Sequence, residues 1–179
     1  LGLWINFIGA FHPVFLHLPI GALLLLMTME GLGIVTRGRV RVDAIWALLF
    51  ALGTSVLALV TGYSLYLTGS YTGELIQMHK RDAFLFCGVL LLTTAWSLWS
   101  TLAKKNSRLI RGGYLAGLGL SVLLMTKAGH YGGEITHGDP LDLLPAKVLA
   151  DRQAAAEALA KDPVLFTQIV QPILSVNCV

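Results

Sequence analysis

Apolar residues along this chain fall in four long blocks, at about 14–35, 44–67, 83–103 and 112–131, divided by short polar stretches. A helix needs roughly 20 apolar residues to cross the hydrocarbon of a bilayer, and each block has that length. Short connections make successive helices neighbours. The pattern therefore predicts an all-α membrane protein, a four-transmembrane-helix up-down antiparallel bundle. After Tyr131 the pattern changes: "GGEITHGDPLDLLPAK" reads as a glycine- and proline-rich segment outside the membrane, and "VLADRQAAAEALAK" as a polar, alanine-rich helix. Asp162 followed by Pro163 is a helix start, the aspartate as N-cap and the proline in the first turn. "DPVLFTQIVQPILSVNCV" then reads as a short amphipathic helix leading to Cys178. The organisation expected is a transmembrane domain over 1–138, an extracytoplasmic linker with a polar helix over 139–162, and the start of a further domain over 163–179.

Composition agrees with a membrane protein. Of the 179 residues 55% are hydrophobic and 13% charged, against about a quarter charged in a soluble domain. Charge also orients the bundle. Arg37, Arg39 and Arg41 lie between the first two blocks, and Lys104, Lys105, Arg108 and Arg111 between the last two, whereas the middle loop offers Lys80 and Arg81. Basic loops stay in the cytoplasm, which predicts both termini and the middle loop on the outer face. These topogenic charges account for the basic pI, so nucleic acid is not an expected partner. Phosphate loops, dinucleotide glycine patterns and Ser-His-Asp arrangements are absent from the sequence.

Cys87, inside an apolar block, and Cys178, next to the end, give no disulfide framework. The chain starts without methionine and stops at "SVNCV", which reads as part of a longer protein. No cleavable signal is visible. Gly113 and Gly117 form a small-xxx-small pair and Gly53 lies among small residues, surfaces that let helices approach in lipid. Pro13 and Pro19 predict an irregular or kinked start to the first span. Glu30, near its cytoplasmic end, reads as an interfacial carboxylate beside the arginine loop, with a buried proton relay as the alternative.

On this topology all five histidines fall on the outer side. His17 and His130 come out at the hydrocarbon boundary, and His12, His79 and His137 roughly 5–10 Å further out by helical rise. Ionisable residues at membrane depth are costly and tend to be functional. Facing helices that offer imidazoles from two directions suit haem iron. The level-matched His17 and His130 form the first candidate pair of axial ligands and His12 with His79 the second, so that one or two b-type haems would bind, with His137 as rival ligand or hydrogen-bonding group. Lys80, Arg81 and Lys127 are candidates to neutralise haem propionates, Lys127 alternatively snorkelling to the interface. Two other readings stay open. One is a zinc or copper site of three histidines with Glu74, Asp82, Glu134 or Asp139; the other is a membrane anchor or assembly subunit whose histidines only make hydrogen bonds.

The segments "HPVFLHLPIGALLL", "MHKRDAF", "GHYGGEITHGD" and "VQPILSVNC" together resemble the bacterial four-helix membrane domain that precedes a planctomycete-type cytochrome c domain. The HP-x3-H-x-P entry corresponds to His12, Pro13, His17 and Pro19. The GH-x-GG-x-x-THG segment corresponds to Gly129, His130, Gly132, Gly133, Thr136, His137 and Gly138. The resemblance implies a multi-pass protein of the bacterial cytoplasmic (inner) membrane with periplasmic termini, and makes 163–179 the beginning of a cytochrome c domain. It makes Cys178 the first cysteine of a CxxCH haem c attachment in a longer parent chain, although the second cysteine and the histidine are not in this sequence. The function expected is a membrane electron-transfer subunit, in contact with lipid. It would exchange electrons with the cytochrome c domain, a quinol-linked partner or other subunits of a respiratory or photosynthetic complex.

Overall fold

The computed structural model describes residues 2–40, 42–69, 71–105, 107–161, 167 and 171. Its elements are α1 (Gly2–Gly9), α2 (His12–Val35), α3 (Ala44–Thr68), α4 (Glu74–Leu102), α5 (Arg108–His137), a 3-10 turn (Pro140–Leu143) and α6 (Pro145–Lys161). Among the described residues, four stretches are long and apolar enough to cross a membrane: Gly2–Val35, Ala44–Thr68, Glu74–Leu102 and Arg108–His137. Cys178 and the rest of 162–179, apart from 167 and 171, lie outside the described residues.

The chain divides into two compact units, 1–135 and 136–179. In the first, α2 packs on α3 and α3 on α4. Trp96 of α4 donates its indole N–H to Ile110 O of α5 at 3.1 Å, and the Glu30 carboxylate of α2 accepts from Arg111 and Tyr114 of α5. Each helix thus touches the next and the last returns to the first, an up-down bundle. Its core holds Leu23, Leu26, Leu48, Leu90 and Leu118. Leu24, Leu25, Leu91, Leu92 and Leu123 lie exposed on the outside, an arrangement suited to lipid rather than water. In the second unit, Asp139 caps the 3-10 turn by accepting from Leu141 N at 2.8 Å, and Lys147 of α6 pairs with Asp142.

The structure differs from the sequence reading at several element ends. The irregularity predicted for the prolines falls earlier, at Ala10–Phe11, between α1 and α2. Pro13 sits in the first turn of α2, where its missing N–H costs nothing, and α2 continues through Pro19. The apolar residues of α1 extend the first span, and the helix packs on α3 where Gly9 leaves only 2.9 Å between an added Cβ and Leu65 N. The "GHYGGEITH" segment, expected to leave the helix after Tyr131, stays helical to His137. Gly113 and Gly117 do mediate close packing, against Trp96 and Thr93, but a Cβ at Gly53 would meet nothing within 4 Å.

The two hairpins, α2–α3 and α4–α5, correspond at a set of positions. Moved on by 67 residues, His12 falls on His79, Gly21 on Gly88, Leu23–Leu25 on Leu90–Leu92, and the end of α2 at Val35 on the end of α4 at Leu102. The buried residues follow: Pro19 with Phe86, Leu23 with Leu90, Leu26 with Thr93. Moved on by 70, Leu48 falls on Leu118, Ala51 on Ser121 and Ser55 on Met125, again buried in both copies.

Candidate functional site

Two histidines occupy the equivalent place in the two hairpins. His12, at the start of α2, has Nδ1 3.0 Å from Ala58 O of α3. His79, in the second turn of α4, has Nδ1 2.8 Å from Ala128 O of α5. Ala58 and Ala128 correspond in the repeat. A carbonyl oxygen only accepts, so in each imidazole the proton is on Nδ1 and the Nε2 lone pair is left available.

Four residues beyond each alanine comes a glycine, Gly62 in α3 and Gly132 in α5. A Cβ at Gly62 would stand 2.8 Å from Cε1 of His12, and one at Gly132 would stand 3.0 Å from Cε1 of His79. Each ring therefore lies against glycine backbone of its partner helix, in space that no other residue would leave. Thr61 adds a hydroxyl 3.4 Å from His12 Nδ1. Both histidines are half-buried.

The other histidines are held differently. His17 is exposed and its Nδ1 turns back to Pro13 O on its own helix. His130 is exposed beside Tyr131, ring centroids 5.9 Å apart. Among the described residues no hydrogen bond or ring contact joins these two. His137 is the exposed last residue of α5 and belongs to the second unit.

Charge surrounds His79 but not His12. Asp82, three residues on and 1% exposed, accepts from Arg81 Nε at 2.8 Å and has Lys127 Nζ 3.1 Å from its second oxygen. Lys80 lies 4.3 Å from the centre of the Tyr66 ring. The three cations read as propionate partners thus have protein partners too. In the first hairpin Val14, Phe15 and Leu57 stand at the positions of Arg81, Asp82 and Lys127, so the electrostatics are lopsided where the imidazoles are matched.

The Lys127–Asp82 pair also adjoins the Ala128–His79 bond, so both tie the same turns of α4 and α5. At the other end of the bundle Glu30 accepts from Arg111 Nη2 at 3.0 Å and from the Tyr114 hydroxyl at 3.1 Å. Glu30, expected beside the first arginine loop, is instead buried and bonded to the first turns of α5. Among the described residues, no three of His, Cys, Asp and Glu converge as a bare metal ion would need.

Ala58, Thr61, Gly62, Ala128 and Gly132 escaped the sequence reading as site residues. For all but Thr61 the signal was a recurring pattern: "H-x8-G-x-L-L-L" occurs at His12 and again at His79, and "A-x3-G" at Ala58 and at Ala128.

No curated protein and no solved structure matches the chain. A family model does, over residues 9–141, which takes in α2 to α5 and all five histidines. On that match the chain belongs to the DUF2231 family, described as predicted membrane proteins.

Proposed function

We propose that this protein is a membrane electron-transfer subunit that binds b-type haem between His12 and His79. The observation that carries the reading is the matched pair of imidazoles, each fixed by an Nδ1–H bond to a helix carbonyl with Nε2 left to ligate. A backbone carbonyl on the distal nitrogen is the usual device for orienting a ligating histidine and strengthening its basicity. Two ligands suffice for haem iron, whose other four come from the porphyrin, so the site does not need the third side chain a zinc or copper ion would take. The exposed His17 and His130 take second place as a pair.

Haem iron bound there would supply one-electron chemistry. The protein's part is to fix both imidazoles and to set the charge around them. Arg81 and Lys127, with Asp82 between them, leave net positive charge beside His79. Positive charge favours the reduced form and offers donors to propionates.

In this reading the membrane is the bacterial cytoplasmic one, as in the resembling proteins, and the Lys and Arg of the first and third loops support a site on its periplasmic side. A cytochrome c domain beginning at 163–179, as in the resembling proteins, would lie on that face and exchange electrons at short range. Lipid and the subunits of a larger redox complex are the other partners in this reading.

The test is a dithionite-reduced minus oxidised spectrum of the detergent-purified chain, with a pyridine haemochrome assay. A b-type α-band is expected that His12→Ala and His79→Ala each abolish while His17→Ala and His130→Ala retain it. A folded, colourless protein would refute the haem reading, and metal analysis would then separate an ion site from an anchor.

A further inference from the structure

At the basic-loop end, a cleft of about 230 Å³ opens between the last turns of α4 and the first turns of α5, lined by Ser97, Ser100, Thr101, Lys105, Arg111 and Tyr114. We infer that this cleft binds the phosphate of an anionic phospholipid headgroup.

Unspent charge and donors support this. Lys105 lies 5.0 Å from the centre of the Trp99 ring and, among the described residues, has no carboxylate partner. Arg111 gives Nη2 to Glu30 and is half exposed, which leaves guanidinium donors directed elsewhere. Thr93, Thr94, Ser100 and Thr101 all donate their hydroxyls to carbonyls of their own helix. The Ser97 hydroxyl makes no such bond among the described residues, so a third donor remains in the cleft. The backbone sets Lys105 at the edge of the cleft: Lys104 takes φ +52° and Lys105 N bonds to Ser100 O at 3.0 Å.

Position supports it as well. Trp96 and Trp99 mark the membrane interface, where such rings collect, and basic pockets between helices at that level take acidic headgroups. The repeat shows that the cleft is not a by-product of the hairpin. In the first copy Gly38 stands at the position of Lys105 and Glu30 at that of Ser97. The loop there folds back on the helix, with Val40 O only 3.0 Å from a Cβ added at Gly33.

The full chain is reconstituted in phosphatidylcholine vesicles containing a minor fraction of phosphatidylglycerol. Either lipid carries brominated acyl chains, and quenching of tryptophan fluorescence is read. Brominated phosphatidylglycerol should quench more than brominated phosphatidylcholine. That excess should fall about fivefold in Lys105→Ala, the effect of one basic side chain at an anionic surface, and fall also in Ser97→Ala. Arg39→Ala, the same loss of charge in the other basic loop, should leave it. Equal quenching by the two lipids, or an equal fall in Lys105→Ala and Arg39→Ala, would overturn the site. Displacement by inorganic phosphate at constant ionic strength would overturn the lipid as its source. Unchanged far-ultraviolet circular dichroism of each variant confirms that folding is intact.

Discussion

Among single residues, the histidines were visible in the sequence, with His17 and His130 as the first candidate pair and His12 and His79 as the second, but the groups that fix each ring were not. Depth along ideal helices matches His17 with His130, because rise per residue is the one coordinate a sequence supplies. Which way a ring turns depends on the carbonyl it meets, and Ala58 O and Ala128 O belong to helices 46 and 49 residues away. The glycines opposite those rings give the most direct check. Gly62→Ala and Gly132→Ala each force a Cβ to 3.0 Å or less from an imidazole carbon. Overpacking of this kind costs about 1–3 kcal/mol. Both variants should melt earlier in detergent and lose any bound haem, whereas Gly129→Ala, whose Cβ would meet nothing within 4 Å, should do neither. If Gly62→Ala and Gly132→Ala retain wild-type melting and spectrum, the rings do not rest where the structure has them.

At the level of elements, the four spans were legible because lipid imposes length and apolarity on a helix whatever its neighbours. Their ends were less so. α4 begins at Glu74, well before the apolar block at 83, and α5 carries "EITH" within its last turns. Hydropathy registers where the hydrocarbon ends; hydrogen bonding decides where the helix ends. The turn after α4 shows the difference. It is closed by Lys104 N to Thr101 O and Lys105 N to Ser100 O, a helix C-terminus of the kind that glycine usually completes. Lys104 supplies the left-handed residue instead, at φ +52°. A side chain there costs about 1 kcal/mol relative to glycine. Lys104→Gly should therefore stabilise the protein by about that amount, read as a higher thermal midpoint in detergent. A lower midpoint would mean that the turn is not left-handed in the membrane.

In the molecule as a whole, the two hairpins match at some positions and differ at others. The correspondence between the two hairpins sets His12 and His79 at equivalent places, each bonded to a carbonyl of its partner helix. Side chains that differ between the copies then tell the halves apart: the charges around Asp82 at one end, and Glu30 reaching to Arg111 and Tyr114 at the other. The Glu30 contacts join α2 to α5, the first and last members of the ring, and so close it. The pair's strength is limited by the Arg111 side chain, 52% exposed against 11% for Glu30. Solvent screening should hold the coupling in a Glu30→Gln/Arg111→Met double-mutant cycle to about 1 kcal/mol. The Tyr114 hydroxyl, buried and donating to a carboxylate, should count for more: Tyr114→Phe should cost about 1.5–3 kcal/mol. Both are measurable by unfolding in detergent free of acidic lipid. If Tyr114→Phe is neutral while the cycle shows strong coupling, the ion pair rather than the buried hydroxyl closes the bundle.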